Sequence, residues 1–183
     1  MIKFLLISFI YLFSNCNGNQ DQRKIKLKSN QDSNKFISQI EPEQTIGITD
    51  TLNKPLPNQI IAYAKTLIGV PYKYGSTDIN VGLDCSGFIT SVYNHFNIKV
   101  PRSSVDFTNY GEKIEWNNVK PGDLILFTGT DSTNRTVGHM GIIINTNNSI
   151  DFIQSTSGKA YSVTITPLNK YYQGRFVKVI RIL

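Results

Sequence analysis

Cysteine and histidine are scarce in this chain, two of each in 183 residues, and that scarcity narrows its chemistry. No cluster of His, Cys, Asp and Glu stands at metal-ligand spacing and no glycine-rich phosphate loop occurs, so neither a metal nor a cofactor is expected. Gly and Pro are not in excess and there is no internal repeat, which excludes fibrous and low-complexity architectures. Hydrophobic residues make up 40% of the chain, enough for one domain with a proper core. The apolar run at Phe4–Phe13 is only ten residues, too short to span a bilayer as a helix. The formal charge is +6, yet the basic residues form no run. Such a surface favours polyanions such as anionic lipid or a wall polymer, and its scattered lysines argue against a dedicated nucleic-acid binder.

What is present begins with an address. Lys3 and the apolar run that follows it form the n- and h-regions of an export signal spanning residues 1–16. The run closes on Leu12-Phe13-Ser14-Asn15-Cys16, with Cys16 where a bacterial lipoprotein carries its lipid-modified residue. Lipidation of Cys16 is the expectation, with plain secretion and a retained membrane anchor as alternatives. Residues 17–56 read as a flexible polar linker, rich in Gln, Asn, Ser, Asp and Lys. Five basic and five acidic residues between Asn17 and Asp50 leave it neutral, and it holds too little apolar surface to offset the entropy of ordering. From Thr51 onward thirteen basic residues face eight acidic ones, so the excess charge sits on the folded part, 57–183.

Pro55 and Pro57 close the linker, and Asn58 is placed to cap a helix carrying Ile60, Ile61, Ala64, Leu67 and Ile68 up to Gly69. A Gly/Tyr-rich loop runs from Val70 to Asp84. A second amphipathic helix starts near Cys85, with Phe88, Ile89, Val92, Tyr93 and Phe96 on one face. Ser103–Tyr110 predicts a short third helix stopped by Gly111. The period then changes. Leu124–Phe127, Met140–Ile144, Phe152–Ile153, Tyr161–Ile165 and Phe176–Ile182 predict a strand meander separated by Asn, Gly, Ser and Thr. Helices first and strands after make an α+β domain, with helices packed on one face of a curled antiparallel sheet.

With Cys16 lipidated, Cys85 is the sole thiol of an exported domain, where an unpaired thiol is exposed to oxidation. It opens a predicted helix in Asp84-Cys85-Ser86-Gly87-Phe88. There the unpaired backbone N–H groups and dipole favour thiolate, so its pKa is expected below the roughly 8.5 of free cysteine. The same N–H groups can face an oxyanion, Ser86 and Gly87 are small enough to admit substrate, and Asp84 can cap the helix. A nucleophile needs a base. His95, about 15 Å along the same helix, cannot reach the sulfur, whereas His139 opens a predicted strand beside Gly138 and Gly141. A third group should fix the imidazole, and the next strand offers Asp151 on one face and Gln154 on the other. Spacing does not decide between them; a Gln oxygen could accept the Nδ1–H bond.

Together these segments resemble the NlpC family of papain-like cell-wall cysteine peptidases across nearly all of Asn58–Leu183. Gly69-Val70-Pro71-Tyr72-Lys73-Tyr74-Gly75 resembles its Gly-x-Pro-Tyr loop, and Asp84-Cys85-Ser86-Gly87-Phe88 its nucleophile motif. Val100-Pro101-Arg102-Ser103-Ser104, Lys120-Pro121-Gly122-Asp123-Leu124-Ile125 and Gly138-His139-Met140-Gly141-Ile142 follow in the family's order. Tyr74, and Ser76 after Gly75, stand where Trp and a second Gly are usual. Gln154, in Phe152-Ile153-Gln154-Ser155-Thr156, stands where His is common. The resemblance implies a papain-like fold with a sheet of about five to six strands. It implies hydrolysis of peptidoglycan stem peptides, typically at the bond between γ-linked D-glutamate and a diamino acid. Cys85 would attack, His139 would act as base and Gln154 would orient it. Tyr72 would hold substrate or oxyanion, and Arg102 with Asp84 and Ser86 would position the peptide's charged ends.

Two other readings share these residues: a related papain-like amidase or acyltransferase, and a wall-binding lipoprotein that has lost turnover. The expected partners are the stem peptide and, through Cys16, the membrane, in a monomer at the cell envelope or secreted to the periplasm.

Overall fold

The computed structural model describes residues 55–183. The expected signal, Cys16 and nearly all of the linker lie outside the described residues.

Helix α1 spans Pro57–Thr66. Asn58 does not cap it. Leu56 is the N-cap and Pro57 takes the first helical position, where its fixed φ suits the turn and its missing N–H is no loss. Gln59 reaches back to accept the Leu56 N–H at 2.8 Å. Helix α2, Cys85–His95, begins as the sequence predicts, its N-cap Asp84 accepting the Gly87 N–H at 2.6 Å. Within the loop between them, Thr77–Asp78 (β1) and Gly82–Leu83 (β2) pair antiparallel. The expected third helix is a 3-10 turn, Ser104–Asn109.

The main sheet has six strands: β3 (Glu112–Ile114), β4 (Leu124–Thr128), β5 (Val137–Asn145), β6 (Asp151–Ser155), β7 (Val163–Pro167) and β8 (Phe176–Arg181). Its order is β3-β8-β4-β5-β6-β7, antiparallel throughout. The predicted meander is therefore only part of it. Strands β4 to β7 follow one another, but the chain then turns through a short helix α3, Lys170–Arg175, and β8 returns to pair with β4. Neither β3 nor α3 carries a readable period, since β3 buries only Ile114 and α3 is six residues long.

Alternation along the strands builds two cores. Leu124, Leu126, Met140, Ile142, Ile153 and Ile180 face the helices and pack with Ile60, Ala64, Phe88, Ile89, Val92 and Tyr93. Ile125, Phe127, Ile143, Phe152 and Val179 face the other way, where Tyr172 of α3 joins them. Each such side chain contributes about 1.5–3 kcal/mol by leaving water. The α+β layering is as the sequence predicts. The second core, closed by α3, is what gives the imidazole of His139 its surroundings.

Candidate active site

Cys85 is the first residue of α2, half-buried, its Sγ 3.9 Å from the Gly138 carbonyl. The helix start thus meets the start of β5, one residue from His139. The backbone N–H groups of Ser86 and Cys85 itself, at the helix start, act to lower the thiol's pKa. Gly87 is required here for another reason than substrate access. A Cβ on it would lie 2.0 Å from the Ser76 carbonyl and 3.0 Å from Asp84 Oδ1, so glycine lets the loop close onto the helix cap. Ser86 is buried as well, 5% exposed, and its hydroxyl meets Asp84 Oδ1 at 3.2 Å.

Arg102 holds this cap. Its guanidinium grips Asp84 Oδ1 at 3.0 Å and Oδ2 at 2.7 Å, and reaches Ser86 Oγ at 3.0 Å. Burial works to raise the Asp84 carboxyl, but the hydrogen bonds from Arg102 and from the Gly87 N–H outweigh it, and the net shift is downward. Asp84, Ser86 and Arg102 therefore form one cluster beside the sulfur, with 42% of the Arg102 side chain exposed. Tyr72 comes to the same place from the loop. It bridges to Leu83, donates its N–H to the Tyr161 carbonyl at 2.9 Å, and its ring lies 5.6 Å from that of Tyr161. Burial, then the neighbouring Cys85 and Asp84, raise its phenol.

The thiol departs from the expectation of an activated thiolate. Burial, followed by the adjacent Asp84 carboxylate, pushes Cys85 up to about 11, and the Ser86 and Cys85 N–H groups and Arg102 offset only part of this. The carboxylate that caps the helix sits beside the sulfur, so the cap opposes the dipole.

His139 lies on the second face of the sheet, opposite Phe127 on β4, its ring stacked toward Phe127 and Tyr172. Burial pushes its imidazole down to about 4, with Arg175 adding to the drop against the hydrogen bond that the Gln154 oxygen accepts. At rest both groups are neutral. His139 Nε2 contacts Gln154 Oε1, so with the amide oxygen as acceptor the ring carries its proton on Nε2 and Nδ1 keeps its lone pair. The expected Nδ1 bond to Gln154 is thereby corrected to Nε2.

Gln154, 1% exposed, is fixed by side chains that sequence reasoning missed. Its Nε2 donates to Thr166 Oγ1 and to the Tyr172 hydroxyl, both at 2.8 Å. Next to it, Ser155 donates to the Leu83 carbonyl at 2.6 Å, which ties β6 to the loop that presents Cys85. Gly141 makes room, since a Cβ there would lie 2.7 Å from Phe152 and 3.4 Å from Gln154 Cβ. Asp151 stands apart at the β5–β6 turn, accepting from Asn145 Nδ2 at 2.9 Å. His95 ends α2, stacked on Tyr63 at 3.6 Å between ring centres. The one sequence signal for Tyr172 was Asn169, which caps α3 by accepting the Tyr172 N–H at 3.3 Å. A thiol, an imidazole with a free Nδ1 and helix N–H groups around the sulfur can perform acyl transfer.

Known proteins resemble this chain in sequence and in fold. The NlpC/P60 family profile matches residues 69–181. The chain is 32% identical over 147 residues to the γ-DL-glutamyl hydrolase of Bacillus subtilis, covering 80% of this chain and 34% of that protein. It is 32% identical over 117 residues to a murein DD-endopeptidase/murein LD-carboxypeptidase of Escherichia coli K12, covering 63% of this chain and 57% of that protein. The chain thus spans between a third and just over half the length of these relatives. A crystal structure of an NlpC/P60 family protein from Bacillus cereus superposes with a TM-score of 0.62 at 30% identity, covering 69% of this chain and 40% of that one.

Proposed function

The chain belongs to the NlpC/P60 family, and from that premise we propose that it is a cysteine peptidase cutting peptidoglycan stem peptides at the γ-D-glutamyl–diamino acid bond. The observation that carries the reading is the His139–Gln154 contact through Nε2, which leaves Nδ1 as the base on the strand end that the Cys85 sulfur meets. The names of the B. subtilis and E. coli relatives, a glutamyl hydrolase and a murein endopeptidase, support the substrate class.

In this reading the Cys85 proton passes to His139 Nδ1 as the sulfur attacks the carbonyl carbon. The oxyanion develops against the N–H groups at the start of α2, which cost no reorganisation because the helix already aims them. The C–N bond then breaks, and the imidazolium returns its proton to the leaving amine. Water, deprotonated by His139, hydrolyses the thioester and regenerates the thiol. Because Cys85 and His139 are both neutral at rest, proton transfer accompanies attack instead of preceding it. Gln154 holds the Nε2 tautomer, Tyr72 borders the reacting carbonyl, and Arg102, Asp84 and Ser86 form the acyl-side wall.

Wild-type chain incubated with purified peptidoglycan should release stem-peptide fragments with newly exposed amino groups. Cys85→Ala and His139→Ala should release none while staying folded by circular dichroism. A wild type that binds the wall and releases nothing makes the chain a wall-binding protein instead. We further place the domain at the cell envelope on a lipid at Cys16. Cys16→Ser should move the protein from the membrane fraction to the soluble one with activity intact, and unchanged partition would count against lipidation.

A further inference from the structure

His139 stands at an irregular point of its sheet. It pairs with Phe127, and between Phe127 and Thr128 the β4–β5 register shifts, so the ladder alone does not set how β5 enters the site. The two strand ends instead touch through glycines. A Cβ on Gly138 would lie 2.8 Å from both the N and the Cα of Gly129, and it is the Gly138 carbonyl that the Cys85 sulfur meets at 3.9 Å. Whatever holds Thr128 and Gly129 therefore holds the backbone that brings His139 to the thiol.

Two arginines hold it, from opposite directions. Arg175, the last residue of α3 and only 7% exposed, donates from Nη2 to the Thr128 carbonyl at 2.8 Å and from Nε to the Gly129 carbonyl at 2.7 Å. Its Nη1 donates to the Tyr171 hydroxyl at 2.7 Å, and its guanidinium carbon lies 4.8 Å over the Tyr171 ring, which fixes the plane of the fork. Arg135, exposed on the turn between β4 and β5, reaches back to α3. It donates to the Gly174 carbonyl at 3.5 Å and to the Phe176 carbonyl, at a helix end where carbonyls are left open. The same helix carries Tyr172, whose ring is 5.7 Å from the Arg175 guanidinium carbon and 6.2 Å from the imidazole centre. The Tyr172 hydroxyl accepts the Gln154 amide N–H at 2.8 Å, and Gln154 meets His139. The imidazole is thus reached twice from Arg175, along the backbone through Gly129 and across side chains through Tyr172. Among the described residues no salt bridge reaches Arg175. A buried cation with only neutral partners is a poor source of stability, since apolar side chains of like volume fold as well.

We propose that Arg175 is a positioning residue: clamped reciprocally with Arg135, it fixes both the strand end and the Tyr172–Gln154 pair that together aim the imidazole of His139. The inference rests on the peptidase reading for its effect on turnover, while the placing of the imidazole is observable without turnover. The fork is what the clamp requires. Two successive carbonyls and a phenol are held by three nitrogens in one plane, which the single ammonium of a lysine cannot reproduce. The charge acts on the same ring. Among the described residues Arg175 is the one charged group that pushes His139 down, so it helps keep the base neutral and ready for the thiol proton.

The test compares the full chain with its Arg175→Lys, Arg175→Gln and Arg135→Ala variants, by turnover on stem peptide and by NMR of the imidazole nitrogens. The chain has two histidines, so His95 at the far end of α2 serves as the internal reference. Arg175→Lys keeps the charge and loses the fork. Its kcat should fall about tenfold or more with KM within about twofold, and the Nε2–H tautomer of His139 should give way to a mixture. Arg175→Gln should add a second effect. With the positive charge gone, the His139 titration and the acidic limb of kcat/KM should both move to higher pH. Arg135→Ala, on an exposed side chain that leaves the core untouched, should lower kcat in the same direction by less and leave the titration in place. Wild-type kcat in Arg175→Lys and Arg135→Ala, or a His139 tautomer and titration unmoved in all three variants, overturns the proposal. Should Arg175→Gln fail to fold, the other two still decide it. A His139 signal that shifts as described in a chain that cleaves nothing leaves the clamp standing and removes the peptidase reading.

Discussion

At Gln154 a single neutral amide has two jobs: its oxygen takes the Nε2–H of His139, and its nitrogen is pinned by Thr166 and Tyr172. It fixes the tautomer but adds no charge to hold an imidazolium. Gln154→Ala should therefore lower turnover by roughly the 10²–10⁴ of a general-base contribution. Gln154→His should keep substantial activity, and Asp151→Ala, whose carboxylate is turned to Asn145, should stay near wild type. Turnover on stem peptide checks all three; a dead Asp151→Ala beside an active Gln154→Ala would reverse the assignment. In the sequence, strand alternation put Asp151 and Gln154 on opposite faces without choosing between them, the family resemblance pointed to Gln154, and helix pitch separated His95 from Cys85. Tyr172, Thr166 and Arg175 were not legible there. They reach the site from β7 and α3 through tertiary packing, which a local pattern does not encode.

At the scale of elements, the setting of Cys85 depends on one close approach, between the Ser76 carbonyl and the first turn of α2. Gly87→Ala puts a methyl 2.0 Å from that oxygen and 3.0 Å from Asp84 Oδ1, in a helix whose cap is held by Arg102. It should cost about 1–3 kcal/mol in denaturant unfolding and most of the activity. Gly174→Ala, in α3 with no atom within 4 Å of the added methyl, should be neutral or slightly stabilising. Equal behaviour of the two would mean that the loop moves freely. The motif around Cys85 showed glycine as a means of access for substrate, and only the packed loop shows it as a clearance. Likewise β8 read correctly as a strand, but its return to β4 could not be read from its own residues, since partner choice is set by the chain's path through α3.

For the molecule as a whole, acid is the weak direction. His139 is held at about 4 when folded, below its unfolded value of roughly 6.5, so the unfolded chain binds the extra proton first. Stability from this residue is complete above about pH 6.5 and is lost as pH falls toward 4. Asp84 acts lower on the scale. Its folded carboxyl is depressed, so its contribution is present above about pH 3.9 and disappears as pH drops through the lower folded value. The midpoint of thermal unfolding should fall by about 5 °C or more between pH 7 and pH 4. A His139→Gln variant should lose less over that interval. An identical slope in both proteins would remove His139 as the cause.

A thiol that ionises only at about 11 has a chemical lifetime as well as a mechanism. Peroxide and disulfides react with the thiolate, and at pH 7 such a sulfur is ionised to about one part in ten thousand, against about 3% for an ordinary cysteine. The smaller thiolate fraction slows oxidation to sulfenic acid, by less than that factor because a more basic thiolate is the stronger nucleophile, and no second cysteine stands among the described residues to rescue it as a disulfide. The carboxylate of Asp84, by keeping the proton on its neighbour, acts as a preservative for the Cys85 sulfur.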